Sequence, residues 1–231
     1  MKISIIVSLF LMFAIDLVAF DGLKNQNEFD KAYEYYNKGK FKEAHDIWSK
    51  LCDNKDAQSC TNLGFIFDND DLGYKKDEKK AMSLYKKACD LNDTLGCKNL
   101  AISQYKGGKS SKDDLAQALK NFEKACELGD GYSCTSAGFQ YENAQGVTQS
   151  LNKAYEYYEK GCKLLNAMGC TNVGGMYANG FSVKRDFTKA IEYFKKGCEL
   201  GHKQGCKYEK ELSGDDFLKN HIKNRRDKWI E

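Results

Sequence analysis

The ten cysteines of this chain fall into five pairs, 52/60, 89/97, 126/134, 162/170 and 198/206, and every pair reads C-x7-C. Successive pairs start 37, 37, 36 and 36 residues apart. A period of this length marks an array of one supersecondary unit stacked on copies of itself. The flanking residues repeat as well. Ala44, Ala81, Ala118, Ala154 and Ala190 each precede the first cysteine of a pair by eight positions. An aromatic ring follows each alanine by four: Trp48, Tyr85, Phe122, Tyr158 and Phe194. Alanine, ring and cysteine at i, i+4 and i+8 share one face of a helix, and that face is the expected core.

A second helix is expected after the second cysteine of each pair, in "CTNLGFIF", "CKNLAISQ", "CTSAGFQY" and "CTNVGGMY". Each carries Gly or Ala four residues past the cysteine: Gly64, Ala101, Gly138 and Gly174. Glycine inside a helix costs up to about 1 kcal/mol relative to alanine, so its recurrence points to a neighbouring helix crossing close by. The loops leading to the next alanine, such as "NAQGVTQSLN", absorb the one-residue variation in the period, whereas the C-x7-C connection never varies.

One cysteine therefore ends a helix, a short turn reverses the chain, and the other opens the antiparallel partner. Facing helix ends at such a turn can reach the ~5.5–6 Å Cα separation a disulfide favours. The expected bridges are Cys52–Cys60, Cys89–Cys97, Cys126–Cys134, Cys162–Cys170 and Cys198–Cys206. The chain-entropy model assigns each loop about 2.5 kcal/mol. Zinc sites use closer cysteine spacings or histidine partners. The three histidines, His45, His202 and His221, are read as surface residues at no repeated position. No metal and no cofactor is expected.

Disulfides at this density require an oxidising compartment. Met1-Lys2 followed by the apolar run Ile3 to Ile15 has the form of a signal peptide, with Ala19 as a small residue for cleavage before Phe20. Residues 1–19 are read as that signal, the mature chain as secreted or periplasmic, with no membrane span after cleavage. A net charge of +3, from 36 basic and 33 acidic side chains, gives no footprint for nucleic acid.

The pattern "LGxxYxxGxxVxxDxxKAxxYYxKGC", seen best at Val173 to Cys198, resembles the Sel1-like repeat, a relative of the tetratricopeptide repeat. With C-x7-C cysteines added, the chain is similar to the cysteine-rich Sel1-like (Hcp) proteins of Helicobacter and related bacteria. The resemblance covers Phe41 to about Tyr208. It implies an all-α, right-handed α-solenoid of helix-turn-helix repeats, each stapled by its disulfide. Residues 20–40 form an N-terminal capping helix region, 41–212 about five repeats, and 213–231 a C-terminal capping helix, "DDFLKNHIKNRRDKW" (Asp215 to Trp229). The first unit departs from the pattern, with a shorter turn and no cysteine in its first helix.

The resemblance also implies a penicillin-binding protein with slow β-lactamase activity. Serine β-lactamases carry S-x-x-K with S-D-N and K-T-G elements. S-x-x-K occurs at Ser83–Lys86, Ser103–Lys106 and Ser150–Lys153, without S-D-N or K-T-G. In a chain this rich in lysine and serine the matches read as coincidence, Ser150 falls in an expected flexible loop, and no catalytic residue is assigned. The competing class is a non-enzymatic scaffold whose concave groove binds a peptide or protein, or a β-lactam or peptidoglycan-like small ligand. In the tetratricopeptide register the groove positions are Thr61 and Phe65, Lys98 and Ile102, Thr135 and Phe139, and Thr171 and Gly175. Asn62, Asn99 and Asn172 lie beside them, where an amide either reads a ligand or bridges neighbouring helices. The chain is expected to act as a monomer.

Overall fold

A computed structural model describes residues 24–105 and 110–214. The expected signal segment, the capping helix from Asp215 and His221 lie outside the described residues. All regular structure among the described residues is helical. Two compact units divide the chain, residues 1–96 and 97–231. The first contains α1 (24–37), α2 (Phe41–Asp53), α3 (Ala57–Asp68) and α4 (Glu78–Asp90), and α5 (Thr94–Gln104) starts at its edge. The second contains α6 (Lys112–Glu127), α7 (Gly131–Glu142), α8 (Leu151–Lys163), α9 (Ala167–Asn179), α10 (Phe187–Glu199) and α11 (Lys203–Ser213). The fold is the disulfide-stapled helical solenoid the repeat pattern implies.

The repeated face is the core. Ala44, Ala81, Ala118, Ala154 and Ala190 are fully buried, and Trp48, Tyr85, Phe122, Tyr158 and Phe194 nearly so. Each recurrent glycine meets the ring of the following helix. A Cβ at Gly64, Gly138 or Gly174 would lie 2.6–2.8 Å from ring carbons of Tyr85, Tyr158 or Phe194. The close helix crossing expected from sequence is therefore an aromatic ring packed against a bare backbone.

All ten cysteines are disulfide-bonded and none is free. The 52–60, 126–134, 162–170 and 198–206 bridges join Cα atoms 4.4–4.7 Å apart. The turn beneath each bridge is set by one left-handed residue: Lys55, Asn92, Gly129, Leu165 or Gly201. At the fourth turn Leu165 N–H donates to Cys162 O (3.1 Å) and Asn166 N–H to Gly161 O (2.9 Å). This paired arrangement is the Schellman ending of a helix. The next residue immediately begins the following helix, because Asn166 Oδ1 accepts Gly169 N–H at 2.9 Å. Asp56, Asp93 and Asp130 cap α3, α5 and α7 in the same way, on Ser59, Gly96 and Ser133.

A buried tyrosine brings its own acceptor. Tyr85 Oη donates to Asp68 (3.5 Å) and Tyr158 Oη to Glu142 Oε2 (2.6 Å). Where the ring is Phe122 or Phe194, the position of that acid holds Tyr105 or Ala178. Trp48 at the same position is different: its Nε1 is buried without a hydrogen-bond partner among the described residues.

Candidate groove on α5, α7 and α9

In the second unit, helices α5, α7 and α9 present the positions expected to face a groove. Ile102 and Phe139 are each 43 % exposed, and Tyr132 and Met168 stand out beside them at 42 % and 41 %. With Tyr105, Phe122, Thr135, Ser136 and Asn172 they line a cleft of ≈ 330 Å³. No formal charge lies among these side chains. Asn172 and Ser136, half-buried at equivalent positions of α9 and α7, contribute its polar groups. In the first unit Phe65 is exposed and Asn62 half-buried at the matching positions, and Asn99 is half-buried on α5. Gly175 has no neighbour within 4 Å of its Cβ direction, so the row of large apolar groups stops at α9.

The threonines do something else. Thr61, Thr135 and Thr171 are 3–4 % exposed, and their hydroxyls are taken up by the next repeat. Thr61 Oγ1 donates to Asp93 Oδ1 (2.6 Å), Thr135 Oγ1 to Asn166 Oδ1 (2.9 Å), and Thr171 Oγ1 lies 2.8 Å from His202 Nδ1. At the remaining position Lys98 Nζ meets Asp130 Oδ2 at 3.2 Å. Each partner occupies the N-cap position of the next odd-numbered helix. Thr135 and Thr171 thus line their clefts while their hydroxyls are engaged by the following repeat. The hydroxyl fits because Gly161 and Gly169 leave room for it; a Cβ on either would come within 2.7 Å of Thr135 Oγ1.

The surface reading of His202 is corrected. It occupies the repeated cap position held by Asp56, Asp93, Asp130 and Asn166, and it is half-buried. Its ring faces Thr171, and it makes no side-chain cap to α11. The signal was available in "DAQSC", "DTLGC", "DGYSC", "NAMGC" and "HKQGC", where a polar residue stands four before each second cysteine. Among the described residues no cluster of His, Cys, Asp or Glu side chains is arranged to hold a metal ion.

The S-x-x-K serines have structural partners or open surroundings. Ser150 caps α8, and its N–H donates to Tyr141 O at 3.0 Å, so it is held rather than placed in a flexible loop. Lys153 Nζ sits over the Tyr141 ring, 4.7 Å from its centroid, and 3.2 Å from the Tyr141 hydroxyl. Ser103 Oγ donates back to Asn99 O (2.9 Å). Ser83 and Lys86 are exposed, and Lys86 pairs with Asp90 at 2.6 Å.

Tyrosines crowd the opposite side of the second unit. Tyr141 and Tyr157 stack with centroids 5.7 Å apart, and both hydroxyls donate to Glu123 Oε1. Burial, reinforced by the Glu123 hydrogen bond, holds both phenols above the usual tyrosine range. No helix among the described residues is long and apolar enough to cross a membrane.

The Sel1 repeat matches residues 20–39, 57–93, 95–130, 132–164 and 167–202. Among solved structures, a Sel1 repeat protein from Oxalobacter formigenes is 26% identical with a TM-score of 0.69, covering 79% of this chain and 74% of that one. A protective antigen of uropathogenic Escherichia coli with an SLR fold is 18% identical with a TM-score of 0.73, over 84% of this chain and 43% of that one. Cysteine-rich protein B of Helicobacter pylori is 36% identical over 57% of this chain and 93% of its own, with a TM-score of 0.46. No curated protein matches the chain. The period, the helix pairs and the Sel1 repeat match agree: the chain belongs to the Sel1 repeat family.

Proposed function

We propose that the protein is a binding scaffold of an oxidising compartment, secreted or periplasmic, that holds an extended peptide along α5, α7 and α9. The observation that carries this reading is the neutral cleft ringed by Ile102, Tyr132, Phe139 and Met168, four large apolar side chains each more than two-fifths exposed. Contiguous apolar surface of this kind marks an interaction site. A cleft of this volume takes one large side chain, and its uncharged lining selects an aromatic or aliphatic anchor. Asn172 and Ser136 beside it can pair with the amides of the bound backbone. Ten cysteines held in bridges support the compartment.

The test is selection of displayed peptides on the oxidised protein, followed by affinity measurement on wild type and on Phe139→Asp. Phe139 is exposed, so the variant keeps its fold, which circular dichroism verifies. The expected result is peptides with an aromatic or large aliphatic anchor that lose tenfold or more in affinity, about 1.4 kcal/mol, on the variant. Equal affinity for both proteins would move binding off this face. A penicillin adduct detected by intact mass, with no peptide selected, would favour the β-lactam reading instead.

A further inference from the structure

We infer that the cleft opened by Gly175, where α7 and α9 end, is a subsite for a cationic side chain, lysine or arginine, of the bound peptide. The inference rests on the peptide reading for its occupant, while its chemistry stands on separate residues. Phe65, Ile102 and Phe139 fill their positions with large exposed side chains, but the fourth repeat has Gly175 and open space. The result is a second cleft of ≈ 380 Å³, which shares Asn172 with the apolar one.

The chemistry of this cleft is that of a cation site. α7 ends at Glu142 and α9 at Asn179, and both residues line it. The negative ends of two helix dipoles therefore meet one carboxylate. Glu142 is the only formally charged residue of the lining, and the Tyr158 hydroxyl at 2.6 Å fixes its Oε2. Asn179 Nδ2 is held by Gly175 O (2.9 Å), which leaves the amide oxygen as the acceptor. Phe181 and Tyr208, 44 % and 37 % exposed, add ring faces on which a cation can rest. The contrast within the chain is informative. Asp68 holds the equivalent place beside Tyr85, but Lys76 approaches it at 4.0 Å, and the residue one repeat on that corresponds to Gly175 is Ile102, not glycine.

The experiment is a titration of the oxidised, isotopically labelled protein with N-acetyl-argininamide and with its neutral isostere N-acetyl-citrullinamide, read by amide chemical shifts. N-acetyl-phenylalaninamide serves as a parallel probe of the apolar cleft. The expected result is saturable, salt-sensitive shifts around Glu142, Gly175 and Asn179 with the arginine probe, at least tenfold weaker with citrulline. Glu142→Gln should lower arginine binding to the citrulline level. Gly175→Leu, which adds a side chain where space is open, should abolish it while phenylalaninamide shifts at Ile102 and Phe139 persist. Equal binding of the two probes, an unchanged Glu142→Gln, or no shifts at these residues would each overturn the inference. Loss of the phenylalaninamide response alone would count against the apolar groove and leave the cation subsite standing.

Discussion

Asn166 Oδ1 receives two hydrogen bonds from different helices, the Thr135 hydroxyl of α7 at 2.9 Å and the Gly169 N–H of α9, also at 2.9 Å. One amide oxygen therefore starts one helix and ties it to the helix a repeat earlier. The same double use recurs at Asp93, with Thr61 and Gly96. Thr135→Val keeps the volume and removes the hydroxyl. It should lower unfolding stability by about 1 kcal/mol, the net worth of a typical buried hydrogen bond. Denaturant unfolding measures the loss, and hydrogen exchange should place it at the α7–α9 contact. A variant as stable as wild type would show that the hydroxyl does not couple the repeats.

At the last repeat the cap is a histidine, which faces Thr171 and leaves the α11 N-terminus without a side-chain bond. His202→Asn restores the residue found at 166. It should protect α11 from exchange and stabilise that helix by about 1 kcal/mol, the usual worth of an N-cap. Unchanged exchange in α11 would contradict the equivalence of the two positions.

Gly174 and Gly175 are sequence neighbours with opposite predicted responses to the same change. A Cβ at 174 would strike the Phe194 ring at 2.6 Å, whereas at 175 it meets nothing within 4 Å. Gly174→Ala should destabilise by roughly 1–3 kcal/mol through overpacking. Gly175→Ala should stabilise by up to about 1 kcal/mol through helix propensity. Thermal unfolding of the two variants should bracket wild type; the same sign for both would contradict the packing described.

Buried phenols give the fold an alkaline limit. Burial first, then the acids that accept their hydroxyls, raise Tyr85 and Tyr158 well above the usual tyrosine range. Burial and the Tyr177 hydroxyl do the same for Tyr155. The folded chain keeps these protons after the unfolded chain has released them, so the unfolded state binds fewer protons and stability falls as pH rises. The contribution is complete below the unfolded tyrosine pKa of about 10 and declines above it. Tyrosinate absorbance should rise for the exposed rings first and for these only with loss of helicity. Full ionisation in a still-folded protein would contradict the burial of these hydroxyls.

What the sequence made legible was whatever repeats within one unit. Ala154, Tyr158 and Cys162 announce the buried face by spacing alone, and Gly138 announces the close crossing that the Tyr158 ring makes. The Thr135–Asn166 tie was missed because the partners lie 31 residues apart in different repeats. A register borrowed from related repeats places Thr135 on the groove face but says nothing of where its hydroxyl goes. His202 escaped because its residue type differs from the other caps although its position does not. Ser150 looked like loop because Gly and Asn surround it, while its side chain accepts Lys153 N–H as the helix cap and its N–H is anchored on Tyr141 O.

The most direct measurement is an amide and methyl chemical-shift map of the oxidised protein saturated with a peptide selected on it. The account predicts perturbations centred on Ile102, Tyr132, Phe139 and Met168, with Asn172 among them. Perturbations confined to the tyrosine-rich face of Tyr141, Tyr157, Tyr177 and Tyr193 would contradict it and assign recognition to the opposite side of the repeats.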